Sequence, residues 1–208
     1  MARNLTFLLP CVLGVAGLLT ARSMGDGTAG YYVATFLTAA VYFGGWLRWG
    51  NRSAFRGGAT TRDIAAGLSL GLALAAFFVA GALLVSRIPV LAAPVAGLLS
   101  ATERGGVAIT LFVLVVNGVG EELIYRDMLP SQLVRRGLVR GIVPVALASV
   151  AIYTLVTVAM GVPLLLVGAV ALGTLCHWLV VRTNRLYAPI AAHLSWSIAM
   201  LFLLPLFF

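Results

Sequence analysis

The chain has 208 residues, of which 62% are hydrophobic and only 10% charged, with a formal net charge of +8. A soluble domain carries about 25% charged residues, so this composition excludes a soluble globular protein and points to an all-α polytopic membrane bundle. The positive charge comes entirely from 14 arginines scattered between apolar runs, a distribution that excludes a nucleic-acid-binding face and matches the bias that orients membrane helices.

A helix of about 20 apolar residues crosses a bilayer. In chain order, about seven segments reach or approach that length: residues 5–20, 31–49, 64–86, 107–129, 142–160, 163–181 and 189–208. The first also has features of a signal peptide, because Arg3 precedes a short apolar core and Leu19-Thr20-Ala21 resembles a cleavage site. The connection after the second segment carries Arg48, Arg52, Arg56 and Arg62. That after the fourth carries Arg135, Arg136 and Arg140, and that after the sixth Arg182 and Arg185. The odd connections hold only Arg22, Arg87 and Arg104, partly offset by Asp26 and Glu103. Even connections inside put the N-terminus in the cytoplasm and the chain in the cell membrane. Residues 87–106, broken by Pro89 and Pro94, read as a short interfacial or re-entrant piece. Cys11 and Cys176 lie in apolar runs and read as small buried hydrophobes. No repeat or separate domain is evident. Residues 1–106 are expected to be scaffold and 107–208 the functional core of one integrated membrane domain.

The fourth segment ends in Gly118-Val119-Gly120-Glu121-Glu122-Leu123-Ile124-Tyr125-Arg126-Asp127, which holds three of the chain's six acids. Ionisable residues in a membrane segment mark a functional site by default. Adjacent helical residues diverge by about 100°, so the two glutamates are expected to divide their work. Glu122 and Arg126, four apart in the favourable order, form a pair. Glu121 then faces an internal cavity, where a desolvated carboxylate suits a general base. Asn117, one turn earlier, is placed to hydrogen-bond Glu121. The competing reading is a juxtamembrane charge cluster closing the helix at Pro130.

Only two histidines are present. His193 lies one turn after Pro189, which suits a helix start. From the cytoplasmic side it is about 6 Å deep and Glu121 about 12–14 Å, at the helical rise per residue, so the two are at depths that let them meet. Ser197, four residues on, is placed to orient the imidazole. His177 falls in the same half of the membrane and reads first as an interhelical histidine.

The Glu-Glu-x-x-x-Arg pattern at Glu121, Glu122 and Arg126, the Arg182-Thr183-Asn184-Arg185 turn and the late helix Ala188-Pro189-Ile190-Ala191-Ala192-His193 resemble the CPBP intramembrane protease family. That family includes CAAX-processing endopeptidases and bacteriocin-processing or immunity proteins. The resemblance covers residues 107–208. It implies hydrolysis of peptide bonds in membrane-associated or lipidated substrates, with Glu121 activating a water, Glu122 and Arg126 supporting the site and His193 completing it.

Two positions depart from the pattern. The middle motif of the family is an aromatic, three residues, then histidine; here Tyr153 is followed by Thr157. The last motif is histidine, three residues, then Asn or Asp; here His193 is followed by Ser197. A hydroxyl donates hydrogen bonds but is a poor metal ligand, and catalytic zinc usually has three protein ligands. No metal site is therefore expected, and zinc is disfavoured as a cofactor. His177 is a candidate to fill the space left by Thr157. The expected partners are the bilayer and a membrane-bound peptide or protein substrate. The alternatives are a family member without catalysis, kept for binding, immunity or regulation, and a small transporter using Asn117, Glu121 and His193 as an ion path.

Overall fold

The computed structural model describes residues 5–58 and 60–208; Arg3 lies outside them. The described residues form helices and turns, with no strand among them. In order they are α1 (Leu9–Met24), α2 (Ala29–Trp49), α3 (Thr60–Val85), α4 (Pro89–Leu99), α5 (Ala101–Gly105), α6 (Val107–Glu122), α7 (Leu129–Arg135), α8 (Ile142–Thr157), α9 (Pro163–Thr183) and α10 (Tyr187–Leu203). The protein is a multi-pass helical bundle. Prolines stand in the first turns of α1, α4, α7 and α9, where a missing N–H costs nothing. Asn184, in the left-handed conformation at φ 54°, closes α9.

Among the described residues six helical stretches are long and apolar enough to cross a membrane, one fewer than the sequence suggests. The missing one is α2. It is 21 residues long, but Tyr31, Tyr32, Thr35, Thr38 and Tyr42 form a polar-aromatic face buried in the bundle. It packs on α1 and α6 with that face, while Val33, Leu37 and Leu47 are exposed on the other. Residues 87–106 form the short helices α4 and α5. Val95, Leu98, Leu99 and Ala101 from these helices line a cavity of about 460 Å³.

Two features of the N-terminal half position the functional half. On α3, Gly67 and Gly71 are four residues apart and face α10. A Cβ on Gly67 would overlap the Ala188 carbonyl oxygen, and one on Gly71 the Ala192 carbonyl oxygen. Paired glycines at this spacing let two membrane helices approach backbone to backbone, where dispersion and weak contacts replace the hydrophobic effect. This contact fixes the turn of α10 that carries His193. The second feature is the connection after α2. Trp46 Nε1 and the Asn51 amide donate to Asp127 Oδ2 at 2.6 and 2.7 Å. The Leu186 amide donates to the Ala54 carbonyl, and the Tyr187 hydroxyl to Phe55. Arg185 pairs with Asp63 at 2.7 Å. The connection and the ends of α2 and α3 that flank it thus brace the end of the acidic motif and the start of α10.

Candidate active site

The acidic motif does not end its helix at Pro130. Leu123–Met128 form a π-helical turn and α7 continues to Arg135. In this wider register the Leu129 amide donates to Ile124, five residues back. Pro130 has no N–H to give to the Tyr125 carbonyl, its partner at the same spacing. The Ser149 hydroxyl of α8 donates to that carbonyl instead. All six residues of the turn are buried. A π turn inside an α-helix occurs mostly at functional sites, and here it changes the direction in which Arg126 and Asp127 leave the axis after the two glutamates.

Glu122 is fully buried. Its Oε2 lies 3.2 Å from Arg126 Nε, and its Oε1 lies 2.7 Å from His193 Nδ1. A carboxylate only accepts hydrogen bonds, so Nδ1 carries the imidazole proton and donates. Glu122 sets the tautomer and the ring orientation, the part that Ser197 was expected to play. Nε2 then faces Glu121, whose Oε2 is 3.9 Å away. That is beyond a direct hydrogen bond and within reach of one bridging water. The guanidinium of Arg126 lies over the Tyr153 ring, 4.4 Å from its centroid. Cys176 of α9 is buried beside Glu122 and Arg126.

Glu121 behaves differently. Its side chain keeps 22% exposure and opens into a cavity of about 460 Å³. Its one short hydrogen bond comes from the Tyr153 hydroxyl, which donates to Oε2 at 2.8 Å. Asn117, Tyr153, Thr157, His193 and Ser197 line the same cavity. Most of the rest of the lining is apolar, including Leu18, Phe77, Phe78, Val85, Leu164, Leu204 and Phe208, with Tyr31, Thr35 and Thr110 as polar exceptions. The cavity thus extends along the bundle to Thr157.

Three expectations, on Asn117, Ser197 and His177, need correction. The Asn117 amide donates to the Val113 carbonyl of its own helix at 3.0 Å, not to Glu121. Ser197 lines the cavity, but Glu122 holds the His193 ring. Thr157 donates to the Tyr153 carbonyl at 2.9 Å, one turn back, as a helical threonine commonly does. His177 does not fill the space beside Thr157. It lines a second cavity with Arg126, Asp127, Asn184 and Arg185. Cys176 faces the Glu122–Arg126 pair, and a helix turns the next residue about 100° away. Sequence reading passed over Tyr153 as a site residue, although it stands at the aromatic position of the middle motif. Its signal was a hydroxyl that an aromatic packing position does not require.

The donor set does not fit catalytic zinc. Glu122 has one oxygen on Arg126 and the other on His193 Nδ1, which leaves Glu121 and His193 Nε2 where about three protein ligands are usual. Among the described residues no three His, Cys, Asp or Glu side chains converge on a metal position.

A family model described as type II CAAX prenyl endopeptidase Rce1-like matches residues 103–199. The match covers just under half of the chain and supports membership of the CPBP family. The match runs from α5 through most of α10, and so contains both glutamates, Arg126, Tyr153, Thr157 and His193. No curated protein and no solved structure matches the chain significantly.

Proposed function

We propose that this CPBP protein is an intramembrane endopeptidase of the cell membrane, with Glu121 as the base that activates water. The observation that carries the reading is the contrast between the two glutamates. Glu122 is enclosed between Arg126 and His193, whereas Glu121 opens into a largely apolar cavity with the free ring nitrogen of His193 3.9 Å away. A water held between these two groups would lose a proton to Glu121 as its oxygen attacks the scissile carbonyl. Glu121 would then pass that proton to the leaving amine nitrogen as the tetrahedral intermediate collapses, so the carboxylate is regenerated. Glu122 holds His193 in place. The apolar walls of the cavity fit a substrate whose scissile region carries a lipid or an apolar segment. The family description adds a prenylated C-terminal peptide to the candidates.

The second reading, a family member without catalysis, is favoured by Thr157, whose hydroxyl is bound to its own helix and supplies nothing to Glu121. A transporter is less well supported, since the cavity lining away from Glu121 is mostly apolar, broken by Tyr31, Thr35 and Thr110. Purified protein in liposomes, offered a quenched-fluorescent farnesylated CAAX peptide, a leader peptide and a single-span peptide, separates these. Cleavage of one of them that is lost in Glu121→Gln and reduced in His193→Ala is the expected result. Normal cleavage by both variants would remove the protease reading, and no cleavage by the native chain would favour the silent one.

A further inference from the structure

We infer that Tyr153 is the positioning residue for Glu121 and has taken over the place left by the missing histidine of the middle motif. The inference rests on the protease reading above. In the family pattern a histidine at 157 would supply a polar side chain one helical turn beyond the aromatic residue. Here Thr157 turns its hydroxyl back to the Tyr153 carbonyl at 2.9 Å. The group that reaches Glu121 is the phenol of Tyr153, at 2.8 Å from Oε2.

The phenol is held in place from several sides. Arg126 stacks on its ring at 4.4 Å and Tyr125 lies 5.0 Å from it centroid to centroid. The side chain is buried to all but 7%, and its backbone carbonyl is engaged by Thr157. A tyrosine has two side-chain torsions, and stacking of this kind leaves neither free. The hydroxyl is therefore a fixed donor. It donates to Oε2 and sets the carboxylate plane, leaving the remaining lone pairs of the carboxylate to receive the proton of the attacking water. The ring also joins both halves of the motif, since Arg126 on its face is the partner of Glu122. A phenylalanine would keep the stacking and the shape and lose only the donor.

This separates the inference from ordinary packing. In Tyr153→Phe, kcat for the liposome-bound reporter peptide is expected to fall about a hundredfold, the scale of a misplaced reacting group, with KM unchanged. The thermal midpoint in detergent is expected to stay close to that of the native chain. The double variant Tyr153→Phe with Thr157→His restores the family arrangement and is expected to recover at least about tenfold of the lost kcat, within the range of one positioned acid–base group. Two results would each overturn the inference: native kcat in Tyr153→Phe, or a double variant no more active than the single one at equal stability. Glu121→Gln, assayed in parallel, keeps the two readings apart. If it is inactive while Tyr153→Phe is fully active, the protease reading stands and the role of Tyr153 falls. If Glu121→Gln cleaves normally, or the native chain cleaves nothing, both fall.

Discussion

The π turn divides two environments that use the same kinds of residue for different ends. On one side Glu121, Tyr153 and His193 face a large cavity in which hydrogen-bonding capacity is left open. On the other, Asp127 meets the connection after α2, where Trp46 and Asn51 saturate one carboxylate oxygen. Glu122 and Arg126 lie between the two and bind to each other. Three acids within seven residues are thus not one cluster. Asp127 stabilises, Glu122 orients, and Glu121 keeps a free oxygen beside open space. The lesson is that reactivity follows the valences a carboxylate has left, not its presence in the motif.

The sharpest way to break this division is to change the acid on each side. Glu121→Gln keeps size and polarity and removes the base; cleavage should fall by about 10²–10⁴-fold, the usual contribution of a general base, with little change in thermal stability. Asp127→Ala should do the opposite. It leaves the Trp46 indole N–H and the Asn51 amide without their acceptor, at about 1.5–3 kcal/mol, the scale of a hydrogen bond to a charged group. The thermal midpoint drops, and kcat measured well below that midpoint stays near native. If Asp127→Ala removed activity at full stability, the two sides would not be separate.

Next in size is Gly71→Val on α3. The added side chain would run into the Ala192 backbone and Ser195 Oγ, and overpacking of this kind costs about 1–3 kcal/mol. The change is far in sequence from the motif, yet it pushes on the helix that presents His193. Lower stability and lower kcat together are expected. Lower stability with unchanged kcat would mean that α10 keeps its register without the glycine pair, and the N-terminal half would then be scaffold in the weakest sense.

The sequence carried much of this, unevenly. The membrane class follows from apolar runs between arginine-bearing connections, because a bilayer admits few other architectures. The opposed directions of Glu121 and Glu122 follow from helical geometry. The buried role of α2 was harder to read, since the residues that face a bundle interior are not the most apolar ones. The π turn left no simple signal; it depends on Ser149, twenty-four residues from Tyr125, supplying the bond that Pro130 cannot make. The Gly67–Gly71 pair was legible as a spacing, but its partner on α10 was not. Tyr153 was hidden by the motif itself, which directs attention to position 157.

The smallest expected effect concerns His177, and it tests the boundary between the two sides. His177 lines the second cavity, and its Nδ1 is buried without a hydrogen-bond partner. His193 has Glu122 to fix its tautomer; His177 has no such partner at Nδ1, and it lines the face away from Glu121. Truncation to alanine removes some packing, but it also removes an unpaired polar atom whose burial costs about 1–3 kcal/mol. These two changes oppose each other. His177→Ala is therefore expected to leave both the thermal midpoint and the cleavage rate close to native, while His193→Ala lowers the rate by about 10²-fold or more, as loss of a positioned proton-handling group does. A comparable fall in the His177 variant at unchanged stability would bring the second cavity into the chemistry and end the division drawn at the π turn.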